Sequence, residues 1–140
     1  MYKRQRYKKA LKYIDEHAGP EEEPSLSLLL YRGYAWWGLG ETGKSRAVFE
    51  RARKKFPDSP EVLSALGALE LADGDLEEAR ALFNKAVWTN KNYWGAYLGR
   101  CAVEYLQEDY STAYDDCRRA KAAAGPVPVS YTHLTLPTKA

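Results

Sequence analysis

The chain has 140 residues, in which 21 lysines and arginines face 19 aspartates and glutamates. This length suits one compact domain or a short repeat array. The near balance of charge gives no argument for nucleic-acid binding, and no apolar run approaches the ~20 residues that a membrane-spanning helix needs.

The two ends resemble translated sequencing adapter. Residues 129–138 back-translate as GTC TCT TAT ACA CAT CTG ACG CTG CCG ACG, which resembles a transposase mosaic end. Residues 1–5 back-translate as GTG TAT AAG AGA CAG, the reverse complement of the same element. We therefore expect residues 1–5 and 128–140 to be scars, the second a disordered tail, and the stretch between them to be a fragment. An ordinary basic N-terminus and a proline-rich tail are the alternative. Cytoplasmic and periplasmic locations both stay open.

Residues 6–18 predict an amphipathic helix. Its apolar face consists of Tyr7, Ala10, Leu11 and Ile14. We expect it to be the second helix of a truncated hairpin whose first helix would lie upstream, so that its exposed face could drive self-association. Three glutamates between Pro20 and Pro24 indicate a solvated linker after it.

Three later segments each predict two amphipathic helices around a short turn. The segments are 26–59, 60–93 and 94–127, and their turns fall at 38–43, 73–75 and 107–109. Between the first two segments, Pro57 ends one helix, Ser59 can cap the next, and Pro60 suits its first turn.

Small and aromatic residues recur in these segments at a step of 34. The recurring sets are Gly33 and Gly67, Gly40 and Gly74, Phe49 and Phe83, and Ala52, Ala86 and Ala120. A fixed period held at unrelated positions indicates a repeat architecture. Glycine inside a helix costs roughly 1 kcal/mol against alanine, so Gly33 and Gly67 indicate the close approach of another helix.

These residues resemble the tetratricopeptide repeat, whose pattern has Gly at position eight, Ala at twenty and twenty-seven, an aromatic residue at twenty-four and Pro at thirty-two. The matching residues are Gly67, Ala79, Phe83 and Ala86 in the second unit, and Gly33, Phe49, Ala52 and Pro57 in the first, with Ser45 for the first Ala. The third unit keeps Ala113 and Ala120 but has Cys101 for the glycine and Cys117 for the aromatic residue. The resemblance implies an all-α fold of antiparallel helical hairpins stacked as a right-handed solenoid.

The resemblance also implies a concave groove lined by the first helix of each unit. The expected groove residues are Leu30, Tyr34, Trp37, Ser64, Ala68, Leu71, Leu98, Ala102 and Tyr105. Such an apolar and aromatic surface could anchor a peptide or a partner helix, and Trp36 should point into the hairpin core. The groove lacks the Lys, Asn and Arg set with which chaperone-binding members clamp a C-terminal carboxylate. Packing of these rings against neighbouring helices is the alternative.

Residues 38–45 match the phosphate-binding loop G-x-x-x-x-G-K-[ST] letter for letter. In such a loop Lys44 would neutralise phosphates and Ser45 would hold magnesium. The context argues against it, because residues 34–37 continue a helical pattern where a buried strand is needed. The repeat instead predicts a hairpin turn here.

No other set of residues predicts chemistry. Cys101 and Cys117 are not spaced as a metal knuckle or a redox motif, and we expect small buried helix residues. The acidic pairs, among them Asp115 and Asp116, are expected in turns and on exposed helix faces. We expect a non-catalytic interaction scaffold that binds a protein or peptide, with no cofactor, metal or nucleic acid. The alternatives are a repeat segment of a larger enzyme or assembly factor and, less favoured, nucleotide binding at 38–45.

Overall fold

The computed structural model describes residues 2–18 and 23–125, and within these ranges the chain forms seven α-helices and no strand. The helices are α1 Tyr2–His17, α2 Leu26–Gly38, α3 Thr42–Lys55, α4 Pro60–Asp73, α5 Leu76–Thr89, α6 Trp94–Leu106 and α7 Tyr110–Ala124. The adapter-like residues 2–5 continue α1, whereas the tail at 128–140 lies outside the described residues. None of the described helices is long and apolar enough to cross a bilayer.

The helices pair as hairpins that stack on one another. α2 packs against α3, α4 against α5, and α6 against α7, and the turns between them are short enough to make each pair antiparallel. The hairpins stack because α3 also packs against α4, α5 against α6, and α4 against α6. α1 packs against α2 in the same manner. This confirms the all-α prediction of stacked helical hairpins; the right-handed sense of the stack stays a prediction.

Side-chain caps fix where several helices begin. The Ser59 hydroxyl accepts a hydrogen bond from the backbone N–H of Val62 at 3.3 Å, and Pro60 occupies the first turn, as the sequence predicts. Asp75 and Asp109 cap α5 and α7 in the same way. Each cap satisfies a backbone donor that the helix itself cannot pair.

The turns inside the hairpins use a left-handed residue at the same place in each unit. Gly40 and Gly74 have φ angles of 78° and 84°. The third unit has Glu108 at this position, with φ of 63°, and among the described residues it is the one non-glycine with positive φ. A residue with a Cβ is strained there by roughly 1–2 kcal/mol.

We predict that Glu108→Gly raises the free energy of unfolding by about 1 kcal/mol, because it removes this strain. Urea denaturation followed by circular dichroism measures the change. Gly74→Ala is the matched control in the second unit and should lower stability by a similar amount. A folded Glu108→Gly variant no more stable than the parent chain would contradict the strain argument.

The core of each regular hairpin is a phenylalanine ring lying on a glycine. Phe49 and Phe83 are fully buried. A Cβ on Gly33 would overlap the ring of Phe49, and a Cβ on Gly67 would lie 2.9 Å from Cε1 of Phe83. Both distances are too short for real carbon atoms, so glycine is required for the two helices to approach this closely.

The Phe83 ring also joins the second hairpin to the third. A Cβ on Gly99 of α6 would overlap the ring, so Phe83 fits between Gly67 of its own hairpin and Gly99 of the next. Ala86, one turn further along α5, is 0% exposed and supplies more of the close-packed surface. The same side chain therefore sets the packing within one unit and between two.

Polar side chains add a second link between hairpins. Arg46 of α3 donates hydrogen bonds to Glu70 and, at 2.7 Å, to Asp73 of α4. Arg80 of α5, 34 residues later, donates to Gln107 of α6. The link recurs at the repeat period, so each unit is tied to the next at an equivalent place.

The third hairpin replaces the ring–glycine contact by a covalent bond. Cys101 and Cys117 form a disulfide, with Cα atoms 5.4 Å apart. The expectation of two separate buried cysteines is therefore wrong, and Cys117 is exposed. The physical reason is position, since the two cysteines occupy the places that Gly33 and Phe49 hold in the first unit. Helices that meet closely enough for a ring to lie on a glycine also bring two cysteines within bonding distance.

We predict that Cys101→Ser with Cys117→Ser lowers the free energy of unfolding by about 3 kcal/mol, the value expected for a loop of this length. Reduction of the parent chain should have the same effect. Cys101→Gly with Cys117→Phe should recover much of the loss, because it installs the pair used by the other units. A serine variant as stable as the oxidised parent in urea unfolding would contradict this role.

Candidate functional site

The expected groove residues lie on α2, α4 and α6, the first helix of each hairpin. They form three sets at a step of 34, so each set occupies one equivalent position on the three helices. The sets are Leu30, Ser64 and Leu98; Tyr34, Ala68 and Ala102; and Trp37, Leu71 and Tyr105. Because the helices stack in register, one face of each first helix contributes to one surface, which we call the first-helix face.

Three large apolar side chains of the first-helix face are open to solvent. Tyr34 is 42% exposed, Leu98 48% and Tyr105 62%. The first and third hairpins supply all three, whereas the second contributes the small or half-buried residues Ala68 and Leu71. The face therefore has protruding rings towards its ends and a flatter centre.

Aromatic neighbours hold two of these rings in place. The Tyr34 ring meets the buried Phe49 ring edge to face, with centroids 5.2 Å apart. The Tyr105 ring meets that of Tyr110 in the same manner at 5.5 Å. Such pairs contribute about 0.5–1.5 kcal/mol beyond burial, so both rings are partly pre-ordered for contact with a partner.

The two adjacent tryptophans of α2 have different surroundings. Trp37 is half-buried and packs against the main core cluster beside Leu30. Trp36 is also half-buried, and the Lys44 ammonium lies 4.5 Å from the centre of its ring. Trp37 thus contributes largely to packing, and Tyr34 is the more accessible aromatic side chain on this helix.

The second hairpin contributes a buried hydroxyl. Ser64 is 7% exposed, and its Oγ has no hydrogen-bond partner among the described residues. A buried hydroxyl without a partner carries an energetic cost of roughly 1–3 kcal/mol. Ser64 therefore belongs to the first-helix face by position but offers little surface for contact.

Tyr93 is a member of this region that the sequence prediction missed. A Cβ on Gly95 would lie 2.9 Å from Cζ of the Tyr93 ring, so the ring covers the start of α6. Burial, followed by the nearby Tyr34 phenol and Glu61 carboxylate, raises the pKa of Tyr93 to about 12. Burial and Glu61 raise the pKa of Tyr34 as well. Both hydroxyls therefore stay protonated and able to donate. Tyr93 ends its unit, just before a first helix, and a search confined to helices passes over it.

Residues 38–45 form the turn between α2 and the start of α3. Ser45 is fully buried, and its Oγ donates a hydrogen bond to the Gly33 carbonyl at 2.8 Å. Lys44 lies over the Trp36 ring. Both side chains that a phosphate-binding loop would use thus have structural partners, and a helix precedes the turn where that loop needs a strand.

A buried carboxyl pair lies between α6 and α7. Asp116 is 1% exposed and accepts a hydrogen bond from Arg100 Nη2 at 2.8 Å, so the expectation of an exposed position for Asp116 is wrong. Arg100 makes that burial possible by neutralising the charge. Glu104 is 2% exposed, and burial followed by the Asp116 charge raises its pKa. No group of three or more His, Cys, Asp or Glu suited to a metal ion occurs in the described part of the chain.

We predict that Glu104→Gln stabilises the protein at pH 7. A carboxyl whose pKa is raised on folding favours the folded state at low pH, and this contribution is lost as pH rises above the unfolded value of about 4.3. The variant's advantage should therefore disappear near pH 4, as urea unfolding at the two pH values would show.

Glu70→Gln is the control for Glu104→Gln, because Glu70 occupies the equivalent position one unit earlier. Its carboxylate pairs with Arg46, so removing the charge should destabilise the protein at pH 7. Destabilisation by both variants would contradict the protonated state of Glu104.

Sequence comparison identifies the repeat independently of the geometry. A family model described as tetratricopeptide repeat matches residues 30–97, a range that runs from α2 into the start of α6. No curated protein matches the chain.

Proposed function

The chain belongs to the tetratricopeptide repeat family through residues 30–97, and we propose that it binds an extended peptide or a partner helix on the first-helix face. Repeats of this family generally serve as protein-interaction modules and are typically not catalytic. The role fits an independent scaffold and equally a non-catalytic repeat segment of a larger enzyme or assembly factor.

The observation that supports this site most directly is the exposure of large apolar side chains at equivalent positions. Tyr34, Leu98 and Tyr105 are each at least 42% exposed on helices whose other faces are packed. Tyrosine is enriched among residues that carry binding energy, because it combines a large apolar ring with a hydroxyl and few rotatable bonds. A rigid ring also loses little conformational entropy on binding.

The chemistry of the face favours a partner with apolar side chains and backbone groups able to accept hydrogen bonds. The rings of Tyr34 and Tyr105 can take apolar side chains, and the protonated hydroxyls of Tyr34 and Tyr93 can donate. Glu61 beside them would favour a basic group on the partner over an acidic one. The partner we propose is therefore an apolar segment that carries a basic residue.

Selection from a random peptide library on the immobilised chain, followed by fluorescence anisotropy with the selected peptides, tests this proposal. We predict that Tyr34→Ala with Tyr105→Ala weakens binding at least tenfold, since each lost ring costs roughly 1–2 kcal/mol. Circular dichroism and urea unfolding establish that the variant is folded.

The matched control replaces exposed aromatic residues on second helices. Trp88 of α5 is 82% exposed and Tyr114 of α7 66% exposed, so Trp88→Ala with Tyr114→Ala removes at least as much exposed ring surface. This control should change affinity less than twofold. Peptides bound equally by the parent and the Tyr34/Tyr105 variant, or lost with the control, would show that binding occurs elsewhere.

A further inference from the structure

An apolar cleft of about 490 Å³ lies between α1 and α2, at the edge of the stack. α1 contributes Tyr7, Tyr13 and Ile14 to its walls, and α2 contributes Leu28, Tyr31 and Tyr34. The exposed fractions of Tyr13 and Tyr31 are 63% and 69%. We call this site the α1/α2 cleft. An exposed concave apolar surface of this kind marks a site of association.

The repeat shows what kind of element fits such a cleft. Leu28 lies 34 residues before Val62 and 68 before Ala96, and both of these are 0% exposed. They belong to the face of α4 and α6 on which the preceding unit packs. On α2 the same face is open at Leu28 and at Tyr31, whose equivalent Ala65 is 1% exposed.

The helix that would complete this packing can be located from the other units. α1 packs on α2 as α5 packs on α6. α4 packs against both α5 and α6, and so occupies the place that corresponds to the α1/α2 cleft. Among the described residues nothing occupies it on α1 and α2. The cleft is therefore shaped for a helix that lies along two helices at once.

Charge narrows the chemistry of that helix. Arg6 and Lys9 of α1 lie one turn before Ala10 and Tyr13 on the same side of the helix, and both are exposed. A neighbouring cavity shares Tyr7 and Ala10 with the cleft and is lined by Arg6 as well. An acidic polar face on the bound helix would meet these cations.

We propose that the α1/α2 cleft binds an acidic amphipathic helix of a partner protein, seated as α4 is seated on α5 and α6. The helix uses aliphatic residues against Tyr13, Ile14 and Leu28 and small residues opposite the Tyr31 ring. Its acidic face lies towards Arg6 and Lys9. This site does not depend on the first-helix face, although Tyr34 borders both.

A peptide with the sequence of residues 60–73 is a suitable probe, because α4 fills the equivalent place and carries three acidic residues and no basic one. The labelled peptide is titrated with the full chain and its fluorescence anisotropy measured. We expect saturable binding that is weakened at least tenfold by Tyr31→Glu, since this change puts a negative charge in the cleft. Tyr13→Glu, on the opposite wall, should act in the same way and replaces Tyr31→Glu if that variant fails to fold.

Tyr114→Glu is the matched control, because Tyr114 has nearly the same exposure on α7 and lies outside the cleft. It should change the affinity less than twofold. A peptide with Leu63→Asp and Leu66→Asp should not bind, since the apolar face is lost.

Three results would overturn the proposal. The first is a peptide that does not bind the parent chain. The second is equal weakening by Tyr31→Glu and Tyr114→Glu, or by neither. The third is a parent chain that dimerises in analytical ultracentrifugation and is made monomeric by Tyr31→Glu, which would assign the cleft to a second copy of the chain. Binding to the first-helix face is scored separately, with the Tyr34/Tyr105 variant and the library peptides.

Discussion

The fit of a phenylalanine ring on a glycine that has no side chain is the contact on which this structure depends. Phe49 and Phe83 each fill the space that a Cβ on Gly33 or Gly67 would need. A mid-helix glycine weakens the isolated helix by roughly 1 kcal/mol. Burial of a phenylalanine side chain contributes on the order of 1.5–3 kcal/mol, which exceeds that cost. The contact therefore stabilises the hairpin although each glycine weakens its own helix.

The same contact explains how separate hairpins become one stack. Because Phe83 also lies on Gly99, the second unit cannot shift relative to the third without losing this fit. The Arg46–Glu70 and Arg80–Gln107 links repeat the connection in polar form. With the packed faces used in this way, the side of each first helix that points away from them is left for contact with other molecules.

Much of the fold could be predicted from the sequence because the repeat writes the same contact more than once. The period of 34 gave the helices, the turn at Gly40 and the restart at Ser59, and it explained the phosphate-loop motif as a hairpin turn. The Cys101–Cys117 bond was missed because a spacing of 16 is no recognised cysteine motif. Its significance is visible only beside Gly33 and Phe49, which have the same spacing. Asp116 was misjudged because its burial depends on Arg100, a partner 16 residues away on the neighbouring helix.

Native-state hydrogen exchange of Gly99→Ala tests the central claim most directly, namely that one ring couples neighbouring units. The added methyl group must displace Phe83, and overpacking of this kind costs roughly 1–3 kcal/mol. The account predicts that amides of α6 and α7 lose protection more than those of α2 and α3. Gly43→Ala, at a site with nothing within 4 Å, should leave this pattern unchanged. Uniform loss of protection along the chain, or none at all in Gly99→Ala, would contradict the account.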